Sequence, residues 1–213
     1  MNRSKELYKW VDGTIDYYNK NAQEYFTNTV NVDMTPLYSK FIKLLNPGDT
    51  ICDLGCGSGR DSKFFTSKGY TVVSIDGSLE MTSLASIYLG EPVLCMKFDE
   101  LEFHDKFDAM WACSSLLHVP KNGLPDIIDK IILSVKNNAV IYICFKEGLS
   151  EREENGRIFS DFTQDEFLHF LSGFNSLIPI ELWPSQDVRN SRKSTTWLNV
   201  LLRVTKKKQS GEN

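Results

Sequence analysis

Residues 51–61 read ICDLGCGSGRD, and this stretch decides the fold. Thr50–Leu54 is a short apolar run of the kind that forms a buried strand, and Gly55, Gly57 and Gly59 follow it directly. Glycine has no Cβ, so such a loop can turn tightly and bring its backbone close to a ligand. The spacing is G-x-G-x-G, which differs from the G-x-G-x-x-G of dinucleotide-binding folds. The segment predicts a strand, a ligand-binding turn and a helix.

Two carboxylates flank this loop in the sequence. Asp53 precedes the glycines, where it would repel a pyrophosphate but could hold a cationic amine through bound water or backbone. Asp76 stands at the end of the next predicted strand, where a carboxylate can accept both hydroxyls of a ribose. The implied ligand carries a nucleoside and an amino acid but no phosphates. S-adenosylmethionine fits this description.

The pair of segments ICDLGCGSGRD and VVSIDGS resembles motifs I and II of the class I S-adenosylmethionine-dependent methyltransferases. The likeness covers about residues 15–205. It extends to FDAMWACSSLLHVP, which resembles the fourth-strand motif of that family, and to FKEG…GRIFSDFT and SQDVR…WLNVLL downstream. The combination is similar to small bacterial methyltransferases of the tellurite-resistance and small-molecule branches. These motifs are specific for the fold and the cofactor and are poorly specific for the substrate.

The resemblance implies a set of residues around S-adenosylmethionine and its product S-adenosylhomocysteine. The methionine part would face Asp53, Gly55, Cys56, Gly57 and Gly59, the ribose and adenosine would face Asp76, Gly77, Ser78 and Met81, the adenine would face Phe98 and Asp99, and the sulfonium would face Trp111 and Ala112. Core packing is an equal alternative for Met81 and Phe98. Cys56 is expected to fill space rather than to act as a nucleophile, because no histidine is near it in the sequence.

Predicted strands and helices alternate from Thr50 onward. The predicted helices are 14–26, 34–45, 61–68, 79–89, 124–134 and 163–171, and the predicted strands are 50–54, 71–75, 92–96, 107–113, 139–145, 178–183 and 197–204. Such alternation implies a mainly parallel sheet with helices on both faces. The last two strands have no helix between them, so they should pair antiparallel at one edge. The prediction is an α/β, Rossmann-like, doubly wound, seven-stranded sheet with an antiparallel C-terminal strand and an N-terminal helical lid.

We expect a single methyltransferase domain over residues 1–213. Its parts would be an N-terminal helical lid (1–46), an S-adenosylmethionine-binding core (47–205) and a flexible tail (206–213) that contains the basic run KKK. A chain of 213 residues leaves little room for a separate substrate domain.

Topology also predicts where an acceptor would bind, since ligands of open parallel sheets lie beyond the carboxyl ends of the strands. The candidate substrate residues near that edge are Tyr17, Tyr18, Tyr25, Lys146, Arg157, Arg189 and Arg192. Cations converging on one pocket would suit an anionic acceptor; alternatively, the loop arginines pair with Asp187 or Asp161 and pin their loop. His118 is the candidate general base, with a role as pocket wall or helix cap as the alternative.

Composition excludes several classes. The formal charge of −4 disfavours a nucleic-acid partner, no run approaches the ~18 apolar residues of a membrane helix, and the N-terminus lacks the apolar core of a signal peptide. The five cysteines are odd in number and lie mostly in apolar runs, which is typical of a reducing compartment. We therefore expect a cytoplasmic protein without a metal site, as a monomer or homodimer.

The leading interpretation is methylation of a small acceptor. Methylation of RNA or protein, and a non-catalytic S-adenosylmethionine-binding module or another nucleotide-using enzyme, are the alternatives. Amino-methylating DNA enzymes of related fold carry an Asn/Asp-Pro-Pro-aromatic motif after the fourth strand. This chain reads Ala112-Cys113-Ser114-Ser115 at that place, which disfavours their chemistry.

Overall fold

The computed structural model describes residues 3–189 and 194–206, without the side chains of residues 3–10. The helices are α1 (Arg3–Lys20), α2 (Ala22–Thr29), α3 (Thr35–Ile42), α4 (Arg60–Ser67), α5 (Leu79–Leu89), α6 (Leu124–Ser134) and α7 (Gln164–Leu171). The strands are β1 (Thr50–Leu54), β2 (Thr71–Asp76), β3 (Leu94–Cys95), β4 (Phe107–Ala112), β5 (Val135–Lys146), β6 (Glu151–Glu154), β7 (Arg157–Ser160), β8 (Leu177–Gln186) and β9 (Thr196–Val204). Short 3-10 helices cover Phe98–Glu100 and Leu116–His118.

Seven of these strands form one sheet in the order β3-β2-β1-β4-β5-β9-β8. Strands β1 to β5 are parallel to one another, and β9 lies antiparallel between β5 and β8. This confirms the predicted Rossmann-like sheet and its antiparallel C-terminal strand. Because β8 therefore runs parallel to β5, the β8–β9 connection returns to the same edge as the carboxyl ends of β1, β2, β4 and β5.

The centre of the sheet is buried on both faces. Residues 139–145 of β5 are all buried, and the Trp111 ring of β4 stacks on Tyr142 of β5 with 4.0 Å between ring centroids. Burial on both faces explains why these strands are continuous apolar runs instead of alternating patterns. An aromatic residue in such a run therefore packs in the core unless it lies at the end of the strand.

The N-terminal region differs from the prediction of one helix over residues 14–26. Helix α1 begins at Arg3 and ends at Lys20, and α2 starts again at Ala22. The break lies at Asn21, whose backbone N–H and side-chain Nδ2 both donate to the Tyr17 carbonyl, at 3.0 Å and 2.8 Å. Short polar side chains compete with the helical hydrogen bonds in this way. A 3.6-residue periodicity continues across such a break, so the sequence pattern did not reveal it.

The segment after β5, for which no strand was predicted, forms the separate hairpin β6–β7. Its turn is made by Asn155 (φ 54°) and Gly156 (φ 78°). Two consecutive residues at positive φ produce the turn that matches the twist of a two-residue hairpin. The hairpin touches the N-terminal helices, where the Ile158 N–H donates to Thr14 Oγ1 at 3.3 Å. Within residues 3–189 and 194–206, no helix is both long and apolar enough to cross a bilayer.

Candidate active site

A cavity of about 380 Å³ opens at the carboxyl edge of the sheet. Its wall combines the glycine loop after β1, the end of β2, the segments after β4 and around the β8–β9 connection, and the N-terminal helices. The predicted site residues that line it are Gly55, Cys56, Gly57, Asp76, Gly77, Ser78, Phe98, Tyr18, Tyr25, His118 and Arg189. Its size is within the usual range for small-molecule sites, roughly 300–1,000 Å³.

The glycine loop after β1 packs closely against its neighbours and has no side chains that would fill the cavity at its glycine positions. Gly55 has a φ of 78°, and a Cβ built on it would lie 2.4 Å from Ser115 Cβ. The N–H groups of Gly55 and Cys56 both donate to the Ile75 carbonyl, at 2.8 Å and 2.9 Å, which ties the loop to β2. Beside Gly55, the buried Ser115 Oγ has no partner among the described residues. A buried hydroxyl without a partner in a cavity wall fits a polar ligand.

Asp76 points its carboxylate into the same cavity. Oδ2 accepts the Gly57 N–H and Oδ1 accepts the Ser78 N–H, each at 2.9 Å. A carboxylate has about four acceptor sites, so each oxygen keeps a free lone pair. Burial raises the pKa of Asp76, and the two backbone hydrogen bonds act to lower it. The arrangement suits two neighbouring hydroxyl donors.

Asp53, expected beside the ligand's amino group, is buried and is not part of the cavity wall. Its Oδ2 accepts the Ser62 hydroxyl at 2.6 Å, and Ser62 Oγ accepts from Ser74 at 2.8 Å. Burial, with the nearby Asp61 charge, raises the pKa of Asp53 to about 8. Asp53 stands opposite Trp111 in the β1–β4 register, so both side chains project to the face that α4 covers, away from the strand tips.

Five other residues expected at the cofactor are also absent from the cavity wall, namely Gly59, Met81, Asp99, Trp111 and Ala112. Gly59, at φ 76°, precedes α4, and a Cβ there would meet Leu89. Met81 and Ala112 are core residues at 1% and 0% exposure, so core packing is what the structure shows for Met81. Asp99 lies half-buried in the short helix after β3.

Sequence reasoning missed an ion pair in the cavity wall formed by Arg60 and Asp61. The Asp61 carboxylate accepts from Arg60 Nε (2.5 Å) and Nη2 (2.9 Å), from the Tyr38 hydroxyl (2.5 Å) and from Trp111 Nε1 (2.8 Å). Burial alone would raise the pKa of Asp61, but Arg60 and these hydrogen bonds hold it below its usual value. The sequence signal that could have indicated this ion pair is the Arg-Asp dipeptide at the end of ICDLGCGSGRD.

His118 sits between Tyr18 and the hairpin. Its Nδ1 is 2.6 Å from the Ile158 carbonyl, and its Nε2 is 2.9 Å from the Tyr18 hydroxyl. A carbonyl only accepts, so Nδ1 carries the proton and Nε2 accepts from Tyr18. Burial lowers the pKa of His118 to about 4, against the hydrogen bond to Ile158 that acts to raise it. A neutral imidazole with both ring nitrogens bonded fits the role of a pocket-wall residue better than the role of a general base.

The predicted substrate cations are dispersed. Arg189 lines the cavity and is bound by Asp187, so one of the two proposed pinning pairs is present. Arg157 is buried outside the wall, with its guanidinium 3.9 Å from the Tyr17 ring centroid. Lys146 lies 3.9 Å from the Phe159 ring centroid and is also outside the wall, as is Tyr17. Arg192 lies outside the described residues.

Known proteins share this sequence pattern and fold. Residues 51–138 match a family described as a methyltransferase domain. Over 95 residues the chain is 32% identical to an uncharacterized protein of Methanocaldococcus jannaschii, a match that covers 44% of this chain and 36% of that protein. The chain thus spans only about a third of the length of this curated relative.

Two solved structures illustrate the fold. The chain is similar to the 1,6-didemethyltoxoflavin-N1-methyltransferase of Burkholderia thailandensis, crystallised with 1,6-didemethyltoxoflavin and S-adenosylhomocysteine, with a TM-score of 0.77, 18% identity and coverage of 97% of this chain and 92% of that one. It is also similar to the cyclase SpnF, with a TM-score of 0.71, 14% identity and coverage of 92% and 96%. At these identities the likeness shows a shared fold.

Proposed function

We propose that this chain, which belongs to the class I S-adenosylmethionine-dependent methyltransferase family, binds S-adenosylmethionine and transfers its methyl group to a small acceptor, one that carries an anionic group. The family assignment rests on the methyltransferase-domain match over residues 51–138. We infer the acceptor and the roles of individual residues from the lining of the cavity.

The observation that carries the proposal is the joint geometry of Asp76 and the glycine loop. The Asp76 carboxylate accepts the Gly57 N–H and still keeps two acceptor sites free for the ribose hydroxyls. The ribose site and the glycine loop are therefore joined by a direct hydrogen bond. Ser78 caps α5 by accepting the Met81 N–H and donates to Asn19 of α1, which brings the N-terminal helices over this unit. We assign the ribose to Asp76 and the amino acid part of the cofactor to the cavity wall at Gly55, Gly57 and Ser115.

Charge supports an S-adenosyl ligand over a dinucleotide. A pyrophosphate needs donors and positive charge at the glycine loop, whereas the loop N–H groups of Gly55, Cys56 and Gly57 are already bonded to Ile75 and Asp76. The Burkholderia enzyme of the same fold binds S-adenosylhomocysteine, which agrees with this choice.

The remaining wall defines the acceptor half of the cavity. It contains apolar and aromatic residues from the α2–α3 region and from β5 and β9, namely Val32, Met34, Pro36, Leu37, Tyr142 and Trp197. The cofactor supplies an activated methyl group on a sulfonium. The chain's own task is then to hold an acceptor atom in line with that methyl group, an effect that can supply about 7–11 kcal/mol of a barrier in favourable cases.

We propose further that the N-terminal helices act as a lid over a single domain, and that the protein is cytoplasmic and works as a monomer or homodimer. The cyclase SpnF has a similar fold, and one fold can carry different chemistries. RNA or protein acceptors and a non-catalytic binding module are the competing outcomes.

The test has two stages. Isothermal titration with S-adenosylmethionine, S-adenosylhomocysteine and NAD should show binding of the two adenosyl ligands and none of NAD; binding of NAD alone would overturn the cofactor assignment. A metabolite-library screen for S-adenosylhomocysteine production, with RNA and protein fractions in parallel, then identifies the acceptor class. Cofactor binding with no turnover on any acceptor would favour the binding module.

A further inference from the structure

Arg60 and Arg189 are held in the cavity wall in the same way. Arg60 gives Nε and Nη2 to Asp61, and Arg189 gives Nε (2.9 Å) and Nη2 (2.7 Å) to Asp187. In each pair one edge of the planar guanidinium is therefore occupied by a carboxylate. A guanidinium clamped on one edge has a defined orientation, and its other edge is ready to bind without loss of side-chain freedom.

Asp61 and Asp187 line the same cavity as Arg60 and Arg189, but their carboxylates are buried more deeply than the guanidiniums. The side chains of Asp61 and Asp187 are 7% and 2% exposed, whereas those of Arg60 and Arg189 are 20% and 25% exposed. Each carboxylate also accepts an indole N–H, from Trp111 to Asp61 and from Trp197 to Asp187. Their negative charge is thus shared among several donors, and the guanidinium is the more exposed member of each pair.

The third nitrogen of each guanidinium is open. No protein acceptor bonds Nη1 of Arg60 or of Arg189 anywhere in residues 3–189 and 194–206. Both residues line the one cavity that also holds Gly57 and Asp76. Two charged donors that face a ligand cavity without a protein acceptor need an acceptor from the ligand or from water.

Arg60, Arg189 and Tyr25 line one cavity and lie close enough to interact electrostatically with one another. The pKa of Arg189 is raised mainly by its hydrogen bond to Asp187, while the positive charge of Arg60 acts in the opposite direction. Burial raises the pKa of the Tyr25 phenol, and both arginines act to lower it. Tyr25 itself packs over Gly57, since a Cβ there would be 3.4 Å from its ring. A bound anion would relieve the repulsion between the guanidiniums.

We propose that Arg60 and Arg189, with the Tyr25 hydroxyl, form a carboxylate-binding subsite of the cavity, an inference that rests on the proposed function. Planar guanidinium edges match the planar geometry of a carboxylate. Two ligands bring a carboxylate to this place, namely the amino acid part of the cofactor and an acidic acceptor. The chemistry of recognition is the same for both, and binding experiments separate them.

The first arm compares S-adenosylhomocysteine with 5′-methylthioadenosine, which has the same thioether nucleoside without the amino acid. Both are titrated into wild type, Arg60→Gln, Arg189→Gln and the control Arg203→Gln, whose guanidinium bonds the Asn138 carbonyl outside the cavity. A charge-assisted hydrogen bond contributes about 1.5–3 kcal/mol, so its loss should weaken binding by about tenfold or more. If the cofactor supplies the carboxylate, S-adenosylhomocysteine weakens and 5′-methylthioadenosine does not.

The second arm titrates benzoate, with benzamide as the uncharged control, into protein saturated with S-adenosylhomocysteine. Benzoate matches the apolar acceptor wall and carries one carboxylate. If an acceptor supplies the carboxylate, wild type binds benzoate but not benzamide, and the two arginine variants lose benzoate while keeping S-adenosylhomocysteine.

Three results would count against the subsite. Unchanged binding of every ligand in both variants overturns it, and so does equal loss of S-adenosylhomocysteine and 5′-methylthioadenosine, because that indicates only structural support. Arg60→Lys keeps the charge without the clamp; if Arg60→Gln does not fold, this variant must show the selective loss. Wild type that binds neither adenosyl ligand overturns the proposed function and this inference with it, whereas retained nucleoside binding without a carboxylate effect overturns the inference alone.

Discussion

The phenol of Tyr18 in the first helix donates a 2.9 Å hydrogen bond to Nε2 of His118, although the two residues are 100 positions apart. The bond joins the N-terminal helices to the edge of the sheet after β4. It requires a neutral imidazole, whose Nδ1–H is taken by Ile158. The protonation state of His118 is therefore tied to the packing of the first helix against this edge.

His118 should make the protein less stable in mild acid. Its pKa falls from 6.5 to about 4 on folding, mainly through burial, so its contribution is present above about pH 6.5 and is lost as the pH falls towards 4. The shift corresponds to roughly 3 kcal/mol at most. In urea denaturation between pH 4 and 7.5, His118→Asn should show a flatter dependence than wild type, while the exposed His104→Asn should follow wild type. Identical pH dependence in wild type and His118→Asn would contradict the buried neutral imidazole.

Asp53 should act with the opposite sign. Its pKa is raised by burial from 3.8 to about 8, so its protonated form favours folding at low pH and this contribution is lost as the pH rises through 8. Relative to wild type, Asp53→Asn should become progressively more stable between pH 4 and 8.5. The exposed Asp129→Asn on α6 is the matched control. A constant stability difference across this range would show that Asp53 is ionised throughout.

Asp76→Ala should weaken S-adenosylmethionine binding by more than tenfold, because the ribose hydroxyls would lose both acceptors. Asp99→Ala should leave the affinity near wild type, since Asp99 does not line the cavity. Isothermal titration measures both. Equal affinity in wild type and Asp76→Ala would mean that the ribose binds elsewhere, and a selective loss in Asp99→Ala would restore the role expected from the sequence.

Gly55→Ala separates steric conflict from backbone strain. A methyl group there lies 2.4 Å from Ser115 Cβ, whereas one on Gly69 meets nothing within 4 Å, and both glycines have positive φ (78° and 87°). Both variants should lose about 1–2 kcal/mol of unfolding free energy from the left-handed backbone alone. Gly55→Ala should lose more, and its cofactor affinity should fall as well. Thermal unfolding and titration check this, and similar behaviour of the two variants would contradict a tight loop.

Trp111→Phe should affect stability and not cofactor affinity. It removes the 2.8 Å hydrogen bond to Asp61 and part of the stack on Tyr142, for a cost of about 1–3 kcal/mol. Urea denaturation should register the loss while the dissociation constant of S-adenosylhomocysteine stays near wild type. A large loss of affinity in a variant of near-normal stability would instead return Trp111 to the sulfonium.

The sequence by itself determined the sheet and the loop. Apolar runs, turn-forming glycines and Asp76 are local signals. They predicted the seven strands of the main sheet, its antiparallel C-terminal strand and the cavity residues Gly55, Cys56, Gly57 and Asp76, but not the β6–β7 hairpin. The continuous apolar runs also predicted that β4 and β5 are buried on both faces, because a central parallel strand is apolar along its length.

Only the tertiary structure decided which polar side chains reach the cavity. Asp53 and Trp111 share a register position and so project under α4, while Arg60 and Asp61, adjacent in the chain, meet Tyr38 from a distant helix. Asn21 divides the N-terminal helix, and the β8–β9 connection carries Arg189 into the wall of the cavity that the glycine loop also lines. The direction of a side chain depends on strand register and on the element packed against it, and the local sequence specifies neither of these.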